Sequence, residues 1–312
     1  MEKGSKILVT GCQGMTGWAI VRELQKQGYF NIVCIDRTDC NLLDQKKVLC
    51  LFEKESPEYV FHVAAKVGGM YANNAQSGAF IYENLVMQCN VIESARICKV
   101  EKLLFCGSAC SYPKEAIQPT KEEELLSGPL EETNIGYAIA KIAGVTMCQM
   151  YNKQYGCNFI SVMPANMYGI GDNFSLSTGH VIPGLISKFY EAKTNKSTSI
   201  KIMGTGEASR EFVFVDDVAK GLIFLMNNYN DSNIINIGTG VSIKIKYLVD
   251  ILKNEIGYDG EIIYSGGLEG VKERCLDCTK INTLGWKYET DLKEGIRKVY
   301  DWYVDNFIFL RK

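Results

Sequence analysis

A glycine-rich loop directly after the first predicted strand constrains the fold of this chain more than any other feature. The apolar run Ile7–Thr10 leads into the segment GCQGMTG (residues 11–17), and an amphipathic helix follows near Thr16 to Gln27. Glycines at this spacing allow a tight turn, a close approach of the backbone to a pyrophosphate and close packing of the helix. The helix N-terminus then faces the phosphates, so the loop predicts a dinucleotide site.

Further along the first half, short apolar runs keep alternating with longer amphipathic stretches. The later runs are Ile32–Ile35, Tyr59–Val63 and Lys102–Cys106. This alternation is typical of βαβ units and of a parallel sheet that helices cover on both faces. We therefore expect an α/β protein with a doubly wound parallel sheet, the Rossmann arrangement, and a smaller C-terminal α/β lobe.

The domain boundaries follow from where these patterns change. We expect residues 1–165 to form the dinucleotide-binding domain, with residues 211–240 returning to it. Residues 166–210 and 241–312 mix loops, short strands and helices, and we expect them to form the substrate lobe.

Composition excludes several other classes of protein. A formal net charge of −2 gives no reason to expect a nucleic-acid partner, and no apolar stretch is long enough to span a bilayer. The chain enters its first strand within six residues, which leaves no room for a signal peptide, so we expect a cytoplasmic protein. Its twelve cysteines should then be reduced and mostly act as small apolar residues.

The cysteines and histidines do not predict a metal site. Cys275 and Cys278 form the only C-x-x-C pair, and the chain has just two histidines, His62 and His180. No second pair completes a tetrahedral zinc site. We expect His62, which ends an apolar strand, to pack beneath the cofactor rather than to act in catalysis.

A serine, a tyrosine and a lysine form a set of side chains suited to proton transfer. Ser108 follows a predicted strand, and Tyr137 and Lys141 are spaced to share one helix face. A lysine beside a tyrosine can depress the pKa of the phenol toward working pH. Together with the dinucleotide loop, this set predicts proton transfer beside a nicotinamide.

The chain resembles the extended short-chain dehydrogenase/reductases, and within them the GDP-L-fucose synthase family, over almost its whole length. The segments that carry the resemblance are VFHVAAKVGGMYAN (60–73), FIYEN (80–84), GSACSYP (107–113), YAIAKIAG (137–144), SVMPANMYG (161–169), DNF (172–174), GHVIPGL (179–185) and SREFVFVDDVA (209–219). The YAIAKIAG and HVIPGL segments are specific to this branch. The resemblance implies an epimerase-reductase for a GDP-4-keto-6-deoxy sugar, acting as a homodimer.

The resemblance also assigns chemical roles. Cys110 and His180 are the base and acid that invert C3 and C5, which the C4 ketone acidifies, and Tyr137 donates the proton when the ketone is reduced. Taken one at a time and without the resemblance, Cys110 and His180 are better interpreted as packed residues, and only their joint occurrence within the matched segments favours catalysis. The catalytic set that the resemblance implies is Ser108, Cys110, Tyr137, Lys141 and His180.

Binding residues follow from the glycine-rich loop, from the end of the second strand and from the resemblance. For the cofactor they are Gly11, Gly14, Met15, Gly17, Asp36, Arg37, Asp44, Ala64, Ala65, Tyr137, Lys141, Pro164, Asn166, Met167 and His180. For the nucleotide sugar they are Asn166, Val181, Lys188, Met203, Arg210 and Glu269, with Lys188 and Arg210 suited to the pyrophosphate.

Cofactor choice depends on two adjacent residues. Asp36 can hydrogen-bond a free ribose and repel a 2′-phosphate, which favours NAD, whereas Arg37 stands where the family places an arginine against the 2′-phosphate of NADP. We expect NADPH on the strength of the resemblance, with NAD as the alternative.

Departures from the family keep other substrates open. Met203 stands where relatives have tryptophan, and residues 267–270 read Gly-Leu-Glu-Gly where relatives have Lys-Pro-Asp-Gly. Enzymes of the colitose or GDP-heptose type, a nucleotide-sugar 4-epimerase or 4,6-dehydratase and a non-catalytic sensor are the alternatives. A dehydratase should carry an acidic pair where this chain has Ala109 and Cys110, and a sensor has no need of the whole catalytic set.

Overall fold

The computed structural model describes residues 1–176, 178–266 and 270–310. The strands are β1 (Ile7–Thr10), β2 (Ile32–Ile35), β3 (Tyr59–His62), β4 (Lys102–Cys106), β5 (Phe159–Pro164), β6 (Asn166–Tyr168), β7 (Ser199–Ile202), β8 (Ser209–Phe214), β9 (Ile235–Ile237), β10 (Ser242–Lys244), β11 (Glu261–Tyr264) and β12 (Glu273–Arg274). The α-helices are α1 (Met15–Lys26), α2 (Gln45–Glu55), α3 (Met70–Ala75), α4 (Ser77–Ile97), α5 (Ile135–Tyr155), α6 (Val181–Thr194), α7 (Val215–Asn228), α8 (Ile245–Ile256), α9 (Thr279–Leu284) and α10 (Leu292–Leu310).

The central sheet confirms the predicted doubly wound arrangement. Its six strands lie in the order β2-β1-β3-β4-β5-β9, and all neighbours are parallel. From β1 the chain first adds β2 on one side and then returns to add β3 on the other. In open α/β sheets, a ligand binds in the crevice beyond the carboxyl ends of the strands at such a reversal.

Helices cover both faces of this sheet, so its strands are apolar throughout. Ile7, Leu8 and Val9 of β1 have no exposed surface, nor do Leu103 and Leu104 of β4. These strands lack the alternation of a half-exposed strand because neither face meets water. They form a continuous apolar core with the inner sides of the helices.

A second apolar cluster lies outside the central sheet. It contains Phe189 of α6, Leu248 of α8 and Ile296 of α10. The chain leaves the central sheet for this second cluster just after β5, where β6 pairs in parallel with β8. Strand β8 also pairs with β10 and β12, and β7 pairs separately with β11.

Within the described ranges, no helix combines the length and apolarity needed to cross a bilayer. Cys275 and Cys278 are buried free thiols. In that same part of the chain, no group of histidine, cysteine and acidic residues could hold a metal ion.

Candidate active site

The glycine-rich loop lies at the reversal between β1 and β3. Gly11 has a φ of +73°, and a Cβ added there would lie 2.9 Å from the Cα atom of Ala64, just beyond β3. A Cβ on Gly17 would lie 2.2 Å from the Gly11 carbonyl oxygen. Only glycine permits this approach of α1 to the loop, and Ala65, the residue after Ala64, is partly buried.

The N-terminus of α1 is suited to a pyrophosphate. Gly14 is the N-cap residue and makes no side-chain cap, so no side chain occupies the N–H groups that begin with Met15. The Thr16 hydroxyl contacts the Met167 sulfur at 3.6 Å and joins this end of the helix to β6. The loop and the uncapped helix end therefore fit a dinucleotide.

The turn after β2 contains the two residues predicted to decide between NAD and NADP. Asp36 Oδ1 accepts from the Thr38 backbone N–H at 2.6 Å and from the Thr38 hydroxyl at 2.7 Å. The hydrogen bond from the Thr38 hydroxyl is the largest cause that lowers the pKa of Asp36. Arg37 is exposed. The first carboxylate oxygen of Asp36 is thus engaged by its own turn.

Asp44 has a structural contact of its own. Its Oδ1 accepts from the backbone N–H groups of Lys46 at 3.1 Å and Lys47 at 3.2 Å, which makes it the N-cap of α2. Such a cap is typically worth about 1 kcal/mol of stability.

His62 is packed within the sheet. Its Nδ1 lies 2.9 Å from the Thr10 hydroxyl, and the same hydroxyl accepts from the Ala64 backbone N–H at 3.3 Å. Burial, followed by the charge of Lys141, lowers the pKa of His62 to about 3. The ring is therefore neutral at working pH.

Helix α5 brings the tyrosine and lysine against the end of β4. A Cβ on Gly144 would lie 2.3 Å from the Phe105 ring, so a glycine is needed for this close packing. Lys141 is buried, and its Nζ donates to the Cys106 carbonyl at 2.6 Å. The Lys141 Nζ also lies 5.8 Å from the centre of the Tyr137 ring.

The pKa of Tyr137 moves in the direction opposite to the one predicted. Burial raises it first, and the charges of Cys110 and Cys106 add to that effect, while a hydrogen bond with Ser108 lowers it. Lys141 is committed to the Cys106 carbonyl, and burial lowers its own pKa. The expectation that Lys141 depresses the pKa of the phenol is therefore wrong for this structure.

Cys110 lies in a short 3-10 turn that begins directly after Ser108. The turn spans Ala109–Ser111, and the Ser108 hydroxyl accepts from the Cys110 backbone N–H at 3.2 Å. This turn contacts α5, the helix that carries Tyr137 and Lys141. The structure thus brings Ser108, Cys110, Tyr137 and Lys141 together at the end of β4.

His180 lies on a separate element, at the N-cap of α6. Its Nδ1 is 3.7 Å from Asp172 Oδ1, and the Asp172 side chain is only 5% exposed. Asp172 Oδ2 is buried and has no hydrogen-bond partner among the described residues. Sequence reasoning missed this neighbour, although Asp172 belongs to the DNF segment that carried the resemblance.

The remaining predicted binding residues lie mainly on the elements after β5. Pro164 ends β5, and Asn166 in β6 donates to the Glu211 carbonyl at 2.8 Å. Val181 begins α6 and is partly exposed. These residues extend from the central sheet toward the second apolar cluster.

The two basic residues predicted for the pyrophosphate lie on different elements. Lys188 of α6 donates to the Lys201 carbonyl at 2.7 Å, and Arg210 of β8 donates to the Ser209 carbonyl at 2.7 Å. Met203, which follows β7, is 57% exposed. Glu269 and its neighbours Gly267 and Leu268 lie outside the described residues.

Comparison with known proteins places these features in a family. The NAD dependent epimerase/dehydratase family matches residues 7–238. The probable GDP-L-fucose synthase 1 of Oryza sativa subsp. japonica is 44% identical over 313 aligned residues, which cover 100% of this chain and 95% of that protein.

Two solved structures are also similar over nearly their whole length. A GDP-mannoheptose C4 reductase from Campylobacter jejuni with NADP bound is 40% identical, with a TM-score of 0.89 and coverage of 97% of this chain and 99% of that one. A GDP-L-fucose synthetase from Naegleria fowleri bound to NADP is 29% identical, with a TM-score of 0.93 and coverage of 100% and 96%. The chain therefore belongs to the NAD dependent epimerase/dehydratase family and, within it, to the GDP-L-fucose synthases.

Proposed function

We propose that this chain is an NADPH-dependent epimerase-reductase. Its substrate is a GDP-4-keto-6-deoxy sugar, and its product is GDP-L-fucose or a close relative. The observation that carries the proposal is that the 3-10 turn of Cys110 follows β4 and contacts α5, the helix that carries Tyr137 and Lys141, in a site that begins with a dinucleotide loop. A base for epimerisation and a proton donor for reduction then act in one site.

Epimerisation needs a base on one face of the sugar and an acid on the other. Cys110 takes the proton from C3 or C5, which the C4 ketone acidifies, and His180 returns a proton to the opposite face. Asp172 supports this role because its carboxylate lies 3.7 Å from His180 Nδ1 and can orient the ring.

Reduction uses the other members of the set. NADPH, when bound, supplies the hydride for C4. Tyr137 donates the proton to the C4 oxygen, and Ser108 hydrogen-bonds the phenol. Lys141, held by the Cys106 carbonyl, is a buried residue whose Nζ lies 5.8 Å from the centre of the Tyr137 ring.

NADPH is favoured over NADH by the turn after β2. The Asp36 carboxylate is engaged by Thr38, which weakens the argument that it recognises a free ribose. Arg37 is exposed and available to a 2′-phosphate. Both solved relatives described above have NADP bound.

The second apolar cluster and the elements around it form the proposed nucleotide-sugar lobe. Residues 1–165 and 211–240 bind the cofactor, and residues 166–210 and 241–312 bind the GDP moiety, with Lys188 and Arg210 at the pyrophosphate. Asn166, Val181, Met203 and Glu269 complete the proposed sugar-nucleotide contacts. The resemblance further supports a cytoplasmic homodimer.

A second candidate function is C4 reduction of a GDP-heptose. It is favoured by the similarity to the Campylobacter jejuni reductase and by Met203, which is 57% exposed where relatives have tryptophan. A smaller, flexible side chain at that position leaves more room beside the nucleotide sugar.

Product analysis distinguishes the two candidates. Purified protein is incubated with GDP-4-keto-6-deoxymannose and NADPH, and the sugar is identified by NMR. We expect GDP-L-fucose, with one NADPH oxidised per sugar. A reduced product that keeps the configuration of the substrate at C3 and C5 favours the C4 reductase instead. If NADPH is oxidised neither with this sugar nor with a 4-keto GDP-heptose, both candidate functions are contradicted.

A further inference from the structure

The loop between β6 and α6 brings a buried carboxylate to the ring of the proposed acid. We call its described residues, 172–176 and 178–180, the DNF loop. His180 Nδ1 lies 3.7 Å from Asp172 Oδ1, which is the separation of an ion pair. The Asp172 side chain is 5% exposed, whereas that of His180 is 44% exposed. The carboxylate therefore meets the ring from its buried side, and the rest of the ring stays open to a ligand.

Asp172 has fewer partners than a buried carboxylate normally requires. Its Oδ1 accepts from the Asn173 backbone N–H at 2.7 Å, while its Oδ2 is buried and accepts from no group in the described part of the chain. The ion pairs of the described residues give it one basic partner, His180. Buried charges are normally paired, so the His180 ring is the group that best complements this carboxylate.

Contacts within the DNF loop fix its shape. The Asn173 side chain donates to the Thr178 hydroxyl at 3.0 Å and accepts from the Ser175 backbone N–H at 3.0 Å. The Gly179 backbone N–H donates to the Ser175 carbonyl at 2.9 Å. A Cβ on Gly179 would lie 2.3 Å from the Asn173 carbonyl oxygen, so a glycine is needed where the loop closes. The residue after the aspartate and the residue before the histidine are thereby held together.

The DNF loop is also anchored to two other parts of the molecule. The Gly69 backbone N–H donates to the Thr178 carbonyl at 3.2 Å, and a Cβ on Gly69 would lie 2.9 Å from the Gly179 carbonyl oxygen. Phe174 is 8% exposed, and its ring centre lies 4.6 Å from that of Tyr303 in the second apolar cluster. The carboxylate and the ring therefore lie on a loop that is fixed both to the segment after β3 and to that cluster.

We propose that Asp172 is a positioning residue for His180, which holds the ring at Nδ1 and leaves Nε2 as the atom that gives a proton to the sugar. The inference rests on the proposed function and deepens it. In the step it serves, the doubly protonated ring transfers its Nε2 proton to C3 or C5 of the enolate, whose electron pair forms the new C–H bond as the C4 ketone is restored. The neutral ring that remains carries its proton on Nδ1, and a carboxylate beside that nitrogen stabilises this tautomer.

Three variants separate the carboxylate from the shape of the loop. Asp172→Ala removes the acceptor, whereas Asp172→Asn keeps an oxygen that can accept from Nδ1–H but removes the charge. The matched control is Asn173→Ala, which removes the side-chain bonds to Thr178 and Ser175 in the same loop and leaves the carboxylate in place. Melting temperatures establish that each variant is folded.

The first readout is which nitrogen of the His180 ring carries the proton. It is measured by NMR on protein with nitrogen-15-labelled histidine at about pH 8, where a histidine is ordinarily neutral. The chain has only two histidines, so the spectrum of His180→Gln identifies the signals of His180, and those of His62 report whether a variant keeps the fold.

We expect a proton on Nδ1 of His180 in wild type, Asp172→Asn and Asn173→Ala. In Asp172→Ala the proton should move toward Nε2. A wild-type ring without a proton on Nδ1 overturns the proposal, and so does an identical His180 spectrum in wild type and a folded Asp172→Ala. Because the wild-type spectrum alone can contradict the proposal, the test stands even if Asp172→Ala does not fold.

The second readout is the rate at which the sugar is inverted at C3 and C5, followed by NMR in heavy water with NADP+. Asp172→Ala should invert roughly ten- to a hundredfold more slowly than wild type, because a misplaced ring returns the proton poorly. It should still exchange these protons, since Cys110 can return a proton to the face from which it took one. Asp172→Asn and Asn173→Ala should each invert faster than Asp172→Ala.

The outcomes separate this inference from the proposed function. Equal inversion by wild type and a folded Asp172→Ala overturns the role of Asp172. Equal loss of inversion in Asn173→Ala and Asp172→Ala also overturns it, because the shape of the loop and not the carboxylate is then responsible. If Cys110→Ala still exchanges the C3 and C5 protons, the proposed function of Cys110 fails, while the histidine spectrum needs no substrate and still tests the contact of Asp172 with His180.

Discussion

At the scale of single residues, the chemistry of the site depends on neighbouring side chains, and only some of these neighbours could be predicted from the sequence. The proximity of Tyr137 and Lys141 could be predicted, because helix periodicity places the two residues on one face. Asp172 and Arg274 could not, since their contacts with His180 and with the turn of Cys110 depend on how distant loops pack. The rise in the pKa of Tyr137 could not be predicted either, because it is caused mainly by burial, which outweighs the lowering expected from Lys141.

Replacing Tyr137 by phenylalanine tests its role in reduction. The ring remains but the proton donor is lost, so turnover should fall roughly a hundred- to ten-thousandfold while substrate binding changes little. NADPH oxidation at saturating substrate gives the turnover, and calorimetry gives the affinity for the GDP sugar. A variant that oxidises NADPH at nearly the wild-type rate removes Tyr137 from the mechanism.

Replacing Arg37 by alanine tests cofactor choice. Only the 2′-phosphate distinguishes NADPH from NADH, so kcat/KM for NADPH should fall about tenfold while that for NADH stays the same. NADH therefore serves as the internal control. If the wild-type enzyme uses both cofactors equally, Arg37 does not have this role, and a strong preference for NADH points to Asp36 instead.

At the scale of elements, the close approach of helices to strands sets the geometry of the site. The bounds of β1, β2 and β4 could be read from their apolar runs, and α1 lies one residue from its predicted bounds. The partners of the later strands could not be assigned one by one: β9 joins the central sheet, whereas β6, β8, β10 and β12 form a separate sheet. Short strands with mixed burial carry too weak a pattern to assign a partner.

Replacing Gly17 by alanine tests this close approach. The new Cβ would lie 2.2 Å from the Gly11 carbonyl oxygen, so α1 must move away from the loop and the affinity for NADPH should fall. We expect a loss of stability of about 1–3 kcal/mol as well. Fluorescence titration with NADPH and chemical denaturation measure the two effects.

Gly184 provides the matched control, because it also lies in a helix but has no atom within 4 Å of an added Cβ. Alanine there should leave stability unchanged or raise it by about 0.5–1 kcal/mol. Equal behaviour of the two variants contradicts the packing argument.

At the scale of the whole molecule, a buried carboxylate joins segments that are distant in sequence. Glu211 of β8 accepts from the backbone N–H groups of Thr239 at 2.6 Å and Gly240 at 2.8 Å with one oxygen, and from that of Leu276 at 2.6 Å with the other. The loop after β9 and the segment after β12 are thereby held against β8. Burial of such groups makes the stability of the fold dependent on pH.

His62 gives the most direct pH dependence. Its folded-state pKa is about 3 against an ordinary value of 6.5, so the unfolded chain binds a proton between these values and the folded chain does not. Stability is therefore fully present above pH 6.5 and is lost as the pH falls toward about 3. The slope from one such proton is about 1.4 kcal/mol per pH unit.

The free energy of unfolding of wild type and His62→Gln, measured from pH 8 to pH 5, tests this linkage. The wild-type curve should fall more steeply than the variant curve below pH 6.5, and the two should run parallel above it. If the two curves run parallel over the whole range, the protonation of His62 does not differ between the folded and unfolded chain, and the predicted linkage is wrong.

The proposed mechanism places an epimerising base and a separate proton donor for reduction in one site. Its most direct test is deuterium incorporation at C3 and C5 of the GDP-4-keto-6-deoxy sugar in heavy water with NADP+, so that reduction cannot mask exchange. Wild type should exchange both positions, whereas Cys110→Ala should lose exchange by roughly a hundredfold or more and still reduce a ketone it binds when NADPH is supplied. Full exchange by Cys110→Ala contradicts the account and leaves Cys110 as a packed residue.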